Sequence, residues 1–231
     1  MEELYARTEM LLGGKIDKLK SSKILVCGLG GVGGYALEAL VRAGVGQIDV
    51  LDNDVFAASN LNRQILATTA TVGRRKTEVA KERVISINPN CKVEIFDLFY
   101  LPETADKIDL SVYDYIIDAI DTVTAKLELI TRANAQNIRI ISSMGTGNKL
   151  GTNFEVADVY KTSVCPLAKV MRKELKARGV NHLKVVYSKE EPIIPDNTPT
   201  EAGRHIPGSI SYSPAIAGLV LAAEVIKDLT K

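Results

Sequence analysis

One stretch constrains the fold of this chain more than any other. In ILVCGLGGVGG, residues 24–34, Gly28, Gly30 and Gly33 stand in G-x-G-x-x-G register between an apolar run and the alanine-rich segment Tyr35 to Ala43. A strand, a tight turn and a helix in that order open a nucleotide-binding βαβ unit. The glycines let the turn close and let a phosphate approach the backbone, while the helix start offers unpaired N–H groups and the positive end of its dipole. A second apolar segment, Gln47 to Leu51, then delivers Asp52 where a ribose needs an acceptor. The glycine pattern by itself leaves the nucleotide open.

The totals narrow the class. A chain of 231 residues, 46% hydrophobic and 25% charged, has enough apolar material for a large core in one domain of generous size. A formal net charge of +1 excludes a general affinity for polyanions, so any nucleic-acid contact has to come from a local patch. Cys27, Cys91 and Cys165 are an odd set without C-x-x-C spacing, against both a disulfide framework and a four-cysteine zinc site. The opening MEELYARTEM lacks the apolar core of a secretion signal, and a reducing cytoplasm is the expected compartment. Ile210 to Ile226 is apolar, yet Ser211, Ser213, Pro214 and Glu224 interrupt it and it falls short of the roughly 20 residues of a span. A buried C-terminal helix is expected there, with no stable membrane insertion.

Periodicity predicts helices over Glu2 to Leu12, ended by Gly13 and Gly14, over Lys76 to Ile87, and over Thr124 to Asn137. Strands are expected at Lys92 to Phe96, Tyr113 to Ile120 and Arg139 to Ser143. Alternating strands and helices of this kind build a doubly wound parallel sheet. Later the pattern changes: Phe154 to Tyr160 and Lys184 to Ser188 read as strands around a helix at Ala168 to Arg178. Glu191 to Gly208, with Pro192, Pro195, Pro199 and Pro207, reads as a long loop or lid. The expectation is one domain over 1–231, nucleotide-binding in 1–150 and substrate-shaping in 151–231.

The loop after the second strand carries the chemistry. Asp52, Asp54, Asn60, Asn62, Arg63, Gln64 and Lys76 crowd together, and Asp121 follows a later strand. Arg63 and Lys76 suit the phosphates of a nucleotide whose anhydride is being broken, because charge develops on the leaving pyrophosphate. Asp121 suits the accompanying Mg2+. Hydride transfer needs neither, so these residues favour ATP over NAD.

GLGGVGGYALEALVRAGVG, DNDVFAASNLNRQ, GRRK and DAIDTVTAK resemble the E1-like adenylating superfamily that includes the ThiF and MoeB proteins. SSMGTGNKL, DVYKTSVCPLAKVMRKELKARG, KVVYSKE and PGSISYSPAIAGLVLAAEVI are similar to one branch, the tRNA threonylcarbamoyladenosine dehydratases. The resemblance implies an α/β fold: a Rossmann-like doubly wound sheet, parallel in the first half, with antiparallel strands added in the second. It implies a homodimer with ATP at the C-terminal edge of the sheet. Gly30 and Gly31 would lie under the phosphates, Asp52 on the ribose, Arg63 and Lys76 on the phosphates, and Asp121 on the metal. Arg7 matches the arginine that superfamily members lend to the neighbouring subunit's ATP. The implied reaction activates the threonyl carboxylate of a modified adenosine beside the anticodon of tRNA. Its own ureido group then closes a ring, with net loss of water. A sulfur-transfer protein partner is left open, as is AMP versus ADP as by-product.

Other features have ordinary explanations. Asp118 reads as structural and Cys27 as core. Cys165 invites a thioester role, with Lys161 and Lys169 nearby to lower its pKa, but its neighbours form no nucleophile motif and no protein nucleophile is assigned. Lys169, Arg172, Lys173 and Lys176 fall at i, i+3, i+4 and i+7, and Arg178, His182 and Lys184 extend the stripe. A solvated helix face explains such a run. So does a phosphate-backbone footprint for the tRNA stem, in a chain with almost no net charge. Two rival functions stand beside the dehydratase: an adenylyltransferase for the C-terminus of a ubiquitin-like sulfur carrier, weakened by the missing C-x-x-C pairs, and a non-catalytic nucleotide-binding or sulfur-relay protein.

Overall fold

The computed structural model describes residues 2–193, 200–201, 204–205 and 207–231. Helix α1, Glu2–Leu12, stops at Gly13, whose φ of 57° a side chain would resist. After α2, Ile16–Ser21, comes the opening unit: β1 (Lys23–Cys27), α3 (Gly33–Ala43) and β2 (Gln47–Leu51). Then follow α4 (Lys76–Ile87), β3 (Ile95–Phe96), β4 (Tyr115–Asp118), α5 (Val123–Ala135) and β5 (Ile140–Ser143). The second half supplies β6 (Glu155–Asp158), α6 (Pro166–Ala177), β7 (Lys184–Tyr187), the short β8 (Thr200–Glu201) and β9 (Arg204–His205), and α7 (Ser213–Leu229).

Seven strands form one sheet in the order β3-β2-β1-β4-β5-β7-β6. Every neighbouring pair is parallel except β6 with β7. The expected mixed sheet is therefore present, and its antiparallel part in this sheet is the single edge strand β6, since β7 runs parallel to β5. From β1 the chain moves outward to β2 and β3, then returns across β1 to β4. The strand order reverses between β1 and β4, and a crevice opens at their carboxyl ends.

β3 is shorter than the apolar alternation predicts. Glu94 N–H donates to the Asp49 carboxylate at 2.9 Å, and only Ile95 and Phe96 pair in register with Val50 and Leu51, with an isolated bridge at Lys92. The expected strand over Phe154 to Tyr160 likewise stops at Asp158, whose side chain accepts from Tyr160 N–H and starts a 3-10 turn. The proline-rich stretch is not all loop: β8 and β9 pair antiparallel inside it. Pro195 and Pro199 lie outside the described residues.

One face of the sheet is covered by α3, α4 and α7. Leu37, Leu40 and Val41 of α3 meet Ala217, Leu221 and Val225 of α7 in one buried cluster with Ile24, Val26 and Val50 of the sheet. The apolar C-terminal stretch is thus a core helix, and among the described residues no helix is long and apolar enough to cross a membrane. A second cluster joins α6 to α5 through Met171, Leu175 and Ile130, and it fixes α6 beside the carboxyl end of β5.

Candidate active site

At the strand-order reversal lies a cavity of about 500 Å³. Its floor is the glycine turn. Gly28 has φ 87°, and a Cβ there would lie 2.6 Å from the Ala119 carbonyl oxygen. At Gly33 a Cβ would sit 1.7 Å from the Gly28 carbonyl oxygen, so this glycine serves the close packing of helix on strand. Gly28, Gly30 and Gly31 line the cavity, whereas Gly33 lies behind it.

Asp52 leaves the end of β2 and is 8% exposed. Its two oxygens accept Leu29 N–H at 2.7 Å and Asp54 N–H at 2.9 Å, so the carboxylate is held rigidly while lone pairs still face the cavity. Burial raises its pKa above the ordinary carboxylate value, against the Lys76 ammonium and the two N–H donors. Lys76 opens α4 and is nearly buried. Its Nζ lies 2.8 Å from the Asp54 carboxylate and 3.8 Å from that of Asp52. Two carboxylates thus hold the ammonium at the wall, and a phosphate entering the cavity would compete with Asp54 for it.

Arg63 and Gln64 come from the loop before α4. Arg63 Nη1 donates to the Ser59 carbonyl and to Asn62 Oδ1, at 2.9 and 3.0 Å. Gln64 is 6% exposed, lines the cavity, and its Oε1 has no hydrogen-bond partner among the described residues. A buried unpaired amide oxygen costs on the order of 1–3 kcal/mol, and a hydroxyl or amine of a bound ligand relieves it. Asn62 has a different place from the expected one. It does not line the cavity; its Nδ2 donates to the Ser209 carbonyl at 3.0 Å. There it helps hold the strap Pro207, Gly208 and Ser209, which Asn148 also grips through Gly208 N–H at 2.6 Å.

Asp121 is exposed on the β4–α5 loop at the cavity edge. Beneath it lies an arrangement that the sequence reading missed. Lys126 and Asp118 are both fully buried, with Nζ 2.9 Å from Asp118 Oδ2. Lys126 also donates to the Ile120 carbonyl at 3.1 Å, and Asp118 accepts from Ser142 Oγ at 2.6 Å and from Ile120 N–H at 3.2 Å. A buried ion pair therefore ties down both sides of Ile120, the residue before Asp121. A signal was present: Lys126 shares the i, i+3, i+4, i+7 face of Leu129, Ile130 and Ala133, where a lysine needs a buried partner. Leu98, Phe99 and Tyr100 also line the cavity and were missed, because they follow the shortened β3 in irregular structure.

Among the described residues no group of three His, Cys, Asp or Glu could hold a metal by itself. One carboxylate at a phosphate site fits Mg2+ all the same, since this ion binds through one or two carboxylates plus substrate phosphates. Arg7 is exposed on α1 and does not line its own chain's cavity. Cys165 is 1% exposed and packs among Leu127, Met171 and Leu175, a core position that offers a thioester partner no access. Burial also pushes the Cys91 thiol up to about 11 and raises the Cys27 thiol well above its ordinary value.

The family model described as ThiF matches residues 5–231. The chain belongs to the ThiF family. Within it this chain sits among the tRNA threonylcarbamoyladenosine dehydratases. It is 37% identical over 240 residues to a protein of that name from Bacillus subtilis, covering 98% of this chain and 94% of the relative. The structure of the Escherichia coli enzyme TcdA in complex with AMP superimposes with a TM-score of 0.90 at 31% identity, over 99% of this chain and 94% of TcdA. TcdA in complex with ATP gives 0.88 at 31% identity over the same shares. The chain therefore shares its mixed sheet and nearly its whole length with TcdA.

Proposed function

We propose that this chain is an ATP-dependent tRNA threonylcarbamoyladenosine dehydratase. The observation that carries the reading is a near full-length match to such enzymes in a chain whose cavity gathers Asp52, Arg63, Gln64, Lys76 and Asp121. Asp52 receives the ribose hydroxyls and Gln64 Oε1 accepts from a ligand donor beside it. Gly30 and Gly31 leave room for the phosphates. Lys76, released from Asp54, and Arg63 balance the charge that grows on them. Mg2+ held by Asp121 would supply further charge neutralisation at the phosphates.

In the reaction a threonyl carboxylate oxygen bonds to the α-phosphorus of ATP, and pyrophosphate leaves with its electron pair. The ureido nitrogen of the same side chain then attacks the activated carbonyl, loses its proton, and AMP departs. Both reacting groups belong to one substrate, so the protein contributes position and charge. Ser143 to Gly147, Leu167 and the strap at Pro207 to Ser209 wall the other end of the cavity and shape the place of the modified base. The chain acts in the cytoplasm as one domain and as a homodimer, in which Arg7 of one protomer completes its neighbour's site.

The test is incubation of the protein with ATP, Mg2+ and tRNA carrying the threonylcarbamoyl group, followed by nucleoside mass spectrometry under mild conditions. Loss of one water from the nucleoside with stoichiometric AMP is expected. An unchanged nucleoside refutes the function, and ADP in place of AMP refutes the adenylate.

A further inference from the structure

A cavity of about 500 Å³ holds a nucleotide and one modified side chain, not a folded RNA. If the substrate is a tRNA, as proposed above, the rest of its polyanionic backbone lies on the rim. α6 leaves that rim directly: Leu167 in its first turn lines the cavity, and Lys169 follows two residues later.

The structure divides the basic stripe of the sequence into two kinds of residue. Arg172 is half-buried and its guanidinium grips the Thr162 carbonyl and hydroxyl, pinning α6 to the turn before it. Arg178 pairs with Glu174, His182 with Asp158, and Lys184 with Asp228. These four basic side chains are engaged within the chain, and the expected extension through Arg178, His182 and Lys184 carries no unpartnered group. Lys169, Lys173 and Lys176 differ. All three are exposed, stand at i, i+4 and i+7 opposite buried Ala168, Met171 and Leu175, and have no carboxylate partner among the described residues. At the helical rise they form a ridge about 10 Å long running away from the cavity.

We infer that Lys169, Lys173 and Lys176 are the docking ridge for the tRNA backbone beside the modified nucleotide. With a net charge of only +1, unpaired like charges aligned at the rim favour an anion there, and the ammonium groups lose no internal partner by binding it.

The test uses full-length protein with K169Q/K173Q/K176Q and, as the conservative control, K169R/K173R/K176R. tRNA binding is read by fluorescence anisotropy from 50 to 200 mM salt, alongside ATP binding and steady-state dehydration. Three phosphate contacts contribute a roughly 20- to 40-fold loss of affinity over that salt range, which the glutamine variant should no longer show. Its KM for tRNA should rise with kcat and ATP affinity unchanged, and the arginine variant should behave as wild type. Wild-type tRNA affinity and salt slope in the glutamine variant would overturn the ridge and leave it to an acidic protein partner. Failure of the wild-type protein to dehydrate tRNA would count against the proposed function instead, because the binding comparison reads the ridge independently of turnover.

Discussion

Lys126→Met removes the ammonium that joins the floor of the site to its Asp121 loop. The side chains are similar in length, so the main loss is electrostatic: the fully buried 2.9 Å pair with Asp118 and the partly buried 3.1 Å bond to the Ile120 carbonyl. Asp118 is left with Ser142 Oγ and one backbone N–H, and breaking a buried pair from one side costs about 3–5 kcal/mol. A native protein of ordinary stability, about 5–15 kcal/mol, survives this with a reduced margin. For a chain of 231 residues the melting temperature should fall by roughly 6–20 °C. The partner variant D118N/K126M removes both charges and keeps an acceptor for Ser142, so most of the lost stability should return. The tether on Ile120 stays cut, so activity should remain low in the double variant, assayed by AMP formation well below its melting temperature. An unchanged melting temperature in K126M would refute the energetic argument. Recovery of both stability and activity in D118N/K126M would refute the view that the pair positions Asp121.

Three further outcomes follow from the geometry. Asp52 is the stronger ribose acceptor when ionised, and its folded pKa is raised by burial; ATP affinity should therefore hold at neutral pH and fall on acidification at a midpoint above the ordinary carboxylate value. A Kd-versus-pH titration should show that midpoint, and D52N should bind weakly with a flat profile. Asp228 on α7 is the opposite case: burial raises its pKa, but bonds from Lys184, Lys231 and Tyr115 outweigh this and hold it well below the usual range. Its contribution to stability is present above the unfolded carboxylate pKa and is lost as pH falls through the acid range, so melting temperatures of D228N should depend less on pH there. Finally, R7A and K76A should each be inactive, and mixing the two after subunit exchange should restore about a quarter of wild-type activity, because half the dimers then contain one intact site. No recovery would place Arg7 outside the neighbour's site.

Much of the site was legible because its parts are local. The glycine turn, Asp52 at the end of β2 and Lys76 at the start of α4 sit where backbone geometry must put them once strands and helices alternate. Their places could be read from spacing, while their assignment to ATP came from the family resemblance. Residues whose roles depend on distant partners were not legible in this way. Asn62 and Arg63 are adjacent in sequence, yet Arg63 lines the cavity while Asn62 holds Ser209, 147 residues further on. The basic stripe shows the same limit, since helical period aligns Lys169, Arg172, Lys173 and Lys176 but only tertiary packing turns Arg172 onto Thr162. β3 begins late because the Asp49 side chain took the Glu94 backbone donor, a competition that β propensity does not register.

By itself the sequence determined the alternation of elements and the polar set gathered around a glycine turn, because periodicity and short-range spacing act within one or two turns of chain. The tertiary structure decided which charges are free. A lysine's role depends on whether a carboxylate from elsewhere in the chain reaches it: Lys126 is buried against Asp118, Lys184 is paired with Asp228, and Lys169, Lys173 and Lys176 remain exposed at the rim.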